Sequence, residues 1–227
     1  MTDLNQIKQN LPGYFEVIAY CAEEVKFEPT TLIPAMQVSA IHSFGWPIGV
    51  VLENRDGFKP IHTQNGVRAT IDSKEGILGP SYDFWELTKT GDFYLLKSLF
   101  EDRRGKALFF FDVRIKRVAE TLLRIGRLYK ALKMEETKSV AIKLSYGGLK
   151  DRQLSPASSD FFIALPKTCS VPKFEYELQA SIYELNDYTY ISNKTTEICS
   201  ELFILFDGTI LSEEVYKKII SQFLMKV

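Results

Sequence analysis

The stretch YDFWELTKTGDFYLLKSLFEDRRGKALFFFDVRIKRVAETLLRIGRLYKALK, Tyr82 to Lys133, decides how the rest of the chain is read. Its first part holds two apolar segments, Tyr82 to Thr88 and Phe93 to Phe100, around the turn-like Lys89-Thr90-Gly91-Asp92. Both read as strands, and the second is apolar on both faces, which suits the interior of a sheet. A charged loop follows from Glu101 to Lys106, then a short strand-like lead-in, Ala107 to Phe111. Asp112 then caps an amphipathic helix that runs to about Leu132. At 100° per residue, Ile115, Val118, Ala119, Leu122, Gly126 and Tyr129 point one way, and Lys116, Arg117, Arg124 and Arg127 lie on the far side with Glu120 among them.

Working outward, downstream segments add strands and helices in mixed order. Ser139 to Tyr146 alternates as a half-buried strand and Gly147-Gly148 ends it. Asp151 to Pro172 is weakly periodic and rich in Ser and Pro, so it reads as a surface loop, with an apolar island from Phe161 to Leu165. Lys173 to Ile182 is the cleanest period-two segment of the chain. A helix is expected over Asp187 to Cys199, then an apolar run to Phe206, the turn Asp207-Gly208, and a last helix capped by Ser212. Upstream, the pattern gives a short helix at Thr2 to Asn10, a strand at Tyr14 to Ala22 and a helix from Thr30 to Phe44. Gly45-Trp46-Pro47 stops that helix. A short strand at Ile48 to Glu53 precedes a hairpin around Asn65-Gly66 (Lys59 to Thr63 with Val67 to Ile71), and Ser73 to Pro80 is a glycine-rich connection. The order is neither strict βαβα nor all-β. The expected fold is α+β, a mixed but mostly antiparallel sheet packed with the long central helix and the C-terminal helix. A single domain over 1–227 is expected, with 1–29 as a separate N-terminal arm or subdomain in the alternative.

Composition narrows the function classes. The 227 residues are 45% apolar and 25% charged, close to the globular average, with a formal net charge of −1. No global field draws such a chain to nucleic acid or an anionic membrane, so binding of that kind needs a local patch. Cys21, Cys169 and Cys199 are odd in number and far apart, which fits reduced thiols in a cytoplasmic protein. Only His42 and His62 are present, without metal-ligand spacing, and His42 reads as a core or interface histidine. The N-terminus has no basic-then-apolar signal pattern and no apolar run nears membrane-spanning length.

The candidate site residues are Lys116, Arg117, Arg124 and Arg127 on the helix, with Lys150 and Arg152 after the Gly-Gly turn. Arg103, Arg104 and Lys106 add to the local charge. Such a face can track phosphates or take an acidic partner, although i,i+4 pairs from Glu120 to Lys116 and Arg124 account for part of it. Asp83, Glu86, Asp102 and Asp112 are the acids a metal-dependent nuclease or phosphoesterase would gather. The Glu-x-Lys triplets Glu24-Val25-Lys26 and Glu136-Thr137-Lys138 match such an enzyme by residue type alone. Trp46, Trp85 and Tyr94 would line a small-ligand pocket in a third reading. Tyr146-Gly147-Gly148-Leu149-Lys150 lacks phosphate-loop spacing, and Ser155, Ser158 and Ser159 have no histidine nearby in sequence. No catalytic residue, metal ligand set or cofactor is assigned.

Several phrases carry a resemblance: HSFGWPIGVVLE at His42 to Glu53, Tyr82 to Asp102, FFFDVRIKRVAETLLRIGRLYKAL, SYGGLKDRQL, and LFILFDGTILSEEVYKKIISQFL near the end. Together, from about Thr30 onward, they resemble the region that follows an AlbA-like, Schlafen-type DNA-binding domain in a group of bacterial proteins. That domain would need roughly a hundred residues before Trp46, more than stand there. The resemblance implies a nucleic-acid-related or defence setting and transfers no site residues. The leading expectation is a non-enzymatic accessory module that binds a partner protein, with nucleic acid as a possible second contact through the basic helix face.

Overall fold

The computed structural model describes residues 4–23, 25–43, 45–73, 81–104 and 107–227. Glu24, Phe44, Lys106 and the connection 74–80, all invoked above, lie outside the described residues, as do Thr2 and the side chains of Arg103 and Arg104. The elements in chain order are α1 (Leu4–Asn10), β1 (Tyr14–Cys21), α2 (Pro29–Val38), β2 (Ile61–His62), β3 (Gly66–Ser73), β4 (Ser81–Thr88), β5 (Phe93–Ser98), β6 (Leu108–Phe110), α3 (Phe111–Ala131), β7 (Ser139–Gly147), β8 (Gln153–Ser155), β9 (Lys173–Ser181), α4 (Tyr188–Ile204) and α5 (Glu213–Leu224). The fold is α+β. Seven strands form one antiparallel sheet in the order β2-β3-β4-β5-β1-β7-β9, and β6 pairs with β8 in a small parallel ladder.

Alternation along each strand sorts side chains to two faces. Phe15, Val17 and Ala19 of β1, Trp85 and Leu87 of β4, Phe93 and Leu95 of β5 and Val140, Ile142, Leu144 and Tyr146 of β7 join the helices in one apolar cluster. On the opposite face Tyr82, Phe84 and Leu96 are covered by Leu4, Ile7 and Leu11 at and after α1. Strand β1 lies inside the sheet, between β5 and β7. Helix α3, about 31 Å long at 1.5 Å per residue, packs against α2, α4 and α5 as well as the strands. It is therefore buried around most of its circumference. The apolar arc read from sequence is only part of its buried surface.

Three departures from the sequence reading have physical causes. The segment expected as a strand over Ile48 to Glu53 is irregular, because Gly49 takes φ +60°. Helix α2 ends at Val38 and not Phe44. The Met36 carbonyl, which a continuing helix would offer to the Ala40 N–H, accepts the Arg124 guanidinium at 2.7 Å, and Ala40 N–H turns to Gln37 O at 3.1 Å. Helix α4 is longer than expected. Asp187 caps it by accepting the Tyr190 N–H at 2.7 Å, and the apolar run continues its buried face through Leu202 and Phe203.

Gly126 marks where α3 is crossed most closely. An added Cβ would stand 2.6 Å from the Leu185 carbonyl oxygen and 2.7 Å from Leu185 Cβ. Alanine is the better helix former by about 1 kcal/mol, yet overpacking of this kind costs about 1–3 kcal/mol. Gly126→Ala is thus expected to lower the urea midpoint. An unchanged or raised midpoint would show that the backbone after β9 gives way freely.

Candidate functional site

The irregular segment 47–50 is buried, so its backbone groups need partners inside the protein. Three buried side chains supply them in succession. Ile48 N–H donates to Glu120 Oε1 at 2.9 Å, Gly49 O accepts Arg124 Nη2 at 3.2 Å, and Val50 O accepts Trp85 Nε1 at 2.8 Å. Arg117 Nη1 donates to the other oxygen of Glu120 at 2.5 Å. Glu120 therefore makes its ion-pair contact with Arg117 at i,i+3, while its charge also favours the Arg124 cation. Burial raises the Glu120 carboxyl above the usual carboxylate range against the pull of Arg117, and lowers Arg124 to about 10. Arg124 is 1% exposed and holds the C-terminal end of α2, where a cation meets the negative end of the helix dipole.

The four cations expected on the helix face, and Lys150 and Arg152 after the Gly-Gly turn, are thus divided. Arg124 and Arg152 are buried and Arg117 is half-buried against Glu120; Lys116 and Arg127 are partly covered and Lys150 is exposed. Arg152 reaches three segments: Nε to Gly148 O at 2.6 Å, Nη1 to Leu108 O at 3.0 Å and Nη2 to Asp102 Oδ1 at 2.5 Å. The solvent-facing row along α3 that the helical wheel suggested is not formed, because the wheel assumes one buried side and α3 has neighbours on several.

The four acids are held apart. Asp83 points to the helix side and takes Lys97 Nζ at 2.6 and 2.7 Å, where burial lowers the Lys97 ammonium below its usual value. Glu86, three residues on, points to the opposite face. Asp102 takes Arg152. Asp112 does not cap α3: its two oxygens accept Ala157 N–H at 2.8 Å and Ser158 N–H at 3.1 Å. Among the described residues no three His, Cys, Asp or Glu side chains gather as a metal site. In the second triplet Glu136 pairs with Lys130 and Lys138 with Glu23. The three aromatics do not share a pocket either. Trp85 is buried on the helix side, Tyr94 lies on the other face with its hydroxyl on Glu16 at 2.7 Å, and Trp46 is exposed. His42 is exposed and not in the core.

Compared with protein-family models, with curated proteins and with solved structures, the chain gives no significant match. No helix among the described residues is long and apolar enough to cross a membrane.

One surface was passed over in the sequence. The loop between β8 and β9 is fixed at both ends. Asp112 holds residues 157 and 158, the Thr168 N–H donates to Asp207 Oδ2 at 2.7 Å, and Cys169 bridges to Phe206. In between, the Phe161 ring packs on Phe111 and lies under the Lys218 ammonium. Yet Phe162 and Leu165 stand 84% and 68% exposed, and Ile210, in the loop that holds Asp207, is 86% exposed. The apolar island in a polar loop was the available signal. Aperiodicity hid it, since no face could be assigned without knowing what clamps the loop.

Proposed function

We propose that this protein is a non-enzymatic interaction module that seats a partner protein on the apolar rim of Phe162, Leu165 and Ile210. The observation that carries the reading is large apolar side chains held in water on two loops that are tied to each other through Thr168 and Asp207. Single exposed apolar residues are ordinary, but such groups on a fixed frame have little left to lose in ordering when a partner covers them. The resemblance of the chain to regions beside DNA-binding domains supports a nucleic-acid-related or defence setting for that partner. A direct nucleic-acid role draws less support, since Arg124 and Arg152 hold internal carbonyls and a carboxylate.

The test compares tagged wild-type protein with a Phe162→Ser, Leu165→Ser, Ile210→Ser variant, purified from cells that carry the gene naturally. A protein that accompanies the wild type in fixed proportion should be lost with the variant. Truncating interface anchors of this kind costs about 2 kcal/mol or more each, about 30-fold in affinity. An unchanged melting temperature would confirm that the exposed side chains do not support the fold. Equal recovery of the companion by both forms would remove the rim from the argument. A parallel Lys116→Glu, Arg127→Glu, Lys150→Glu variant tests whether DNA or RNA binding resides in the more accessible cations.

A further inference from the structure

Strand β9 ends the sheet, and its register fixes which backbone groups it leaves open. Ile182 N–H donates to Lys138 O at 3.0 Å, in line with the β7–β9 pairing that sets Ser139 against Ser181 and Gly147 against Lys173. In an antiparallel ladder the hydrogen-bonded pairs alternate. The even-numbered residues of β9 therefore turn their N–H and C=O to β7, and Lys173, Glu175, Glu177, Gln179 and Ser181 turn theirs outward. The Ser181 N–H is closed off by the Glu184 carboxylate at 2.7 Å. Among the described residues, none bonds the outward main-chain groups of Glu175, Glu177 and Gln179. The strand has neither bulge nor proline, and the opposite edge, β2, is only two residues long. An edge of this kind is a template for another strand.

We propose that β9 pairs antiparallel with β9 of a second copy about a two-fold axis, Glu175 facing Glu175 and Lys173 facing Glu177 of the other copy. Only registers that join outward residues to outward residues can form main-chain bonds. Registers centred on Leu178 or Gln179 set Ser181, whose N–H is taken, against Glu175 or Glu177, and those nearer Glu175 remain to be compared. The proposed one gives two Lys–Glu pairs on the exposed face and sets Phe174 opposite Tyr176 twice on the helix side. Shifting by two residues in sum sets Glu175 against Glu177 twice, which like charges oppose. Centring on Glu177 sets it against itself and places Lys173 against Ser181, whose N–H is taken. The central Glu175 pair is tolerable because each carboxylate already lies 2.8 Å from Lys173 Nζ and 3.1 Å from Lys143 Nζ, which pull its carboxyl down to about 2. The contact is narrow. Interfaces under about 1,200 Å² belong to weak, reversible complexes, so dilution separates the copies.

Sedimentation velocity of the full chain over a concentration series tests this. The wild type should show a monomer–dimer equilibrium. Glu177→Lys puts Lys173 against a lysine twice and should weaken it at least tenfold. The exchange Lys173→Glu with Glu177→Lys restores both opposite-charge pairs and should restore the dimer, which a merely misfolded variant would not. A chain that stays monomeric at every concentration overturns the proposal and leaves the edge to a strand of another protein. A dimer indifferent to Glu177→Lys, or not rescued by the exchange, overturns it as well. The triple serine variant changes no residue of β9, so it should dimerise normally whether or not the rim binds a partner.

Discussion

Glu120→Ala is expected to destabilise the fold by about 3 kcal/mol, a fall in melting temperature of about 10 °C for a chain of this size. Alanine leaves the Ile48 N–H without the Glu120 acceptor in a buried segment and breaks the ion pair that Glu120 makes with the 11%-exposed side chain of Arg117. A buried donor left unpaired costs about 1–3 kcal/mol, and a broken buried ion pair more. The segment 47–50 should loosen with it. Faster amide exchange at Ile48, alongside unchanged exchange in β7 and β9, is the local sign. A loss under about 0.5 kcal/mol, the usual range for a surface change, would mean that Glu120 is not what holds this segment.

The sign of the pH effect follows from the raised Glu120 carboxyl. A carboxyl that binds its proton more tightly in the native than in the unfolded chain adds stability as pH falls. The contribution of residue 120 therefore declines as pH rises from the ordinary glutamate value to the raised native one, and is level above that. Glu120→Gln keeps an acceptor for Ile48 but cannot titrate, so the difference in stability between wild type and this variant should change only across that window. A difference that runs the other way would show that Arg117 outweighs burial.

The pattern of strands and helices was legible wherever one face of an element meets the core and the other meets water. Lys173 to Ile182 alternates for that reason, and β9 stands where it was expected. The same rule misled at α3. Its charged residues were placed outside because charge usually solvates, yet Glu120 and Arg124 lie inside, satisfying backbone that no regular element satisfies. Gly49 and Pro47 were the hint: an apolar segment that cannot be a strand still has N–H and C=O groups to satisfy, and the nearest helix must provide for them. The candidate site was harder to read. Phe162 and Leu165 form an apolar island in a loop without periodicity, and the carboxylates that clamp the two ends of that loop, Asp112 and Asp207, are distant along the chain.

Lys150 and Arg152 separate the two readings of the basic residues most sharply, being two positions apart in the chain and alike in charge. Lys150→Ala should leave stability within about 0.5 kcal/mol, as an exposed change does. Arg152→Ala should cost about 3–5 kcal/mol, because it removes a buried guanidinium that ties the β7–β8 turn, the β6 entry and the short helical turn Phe100–Arg104 together through one fork. It also takes the guanidinium from Asp102, whose carboxyl burial already raises against the pull of Arg152 and the Gly13 backbone. Arg152→Lys keeps the charge but not the fork, and a point-like ammonium cannot meet Gly148 O, Leu108 O and Asp102 in their three directions. It should recover well under half of the loss. Were the arginine instead a surface group for phosphates, lysine would replace it almost without cost, and the binding of DNA or RNA, not the unfolding curve, would change.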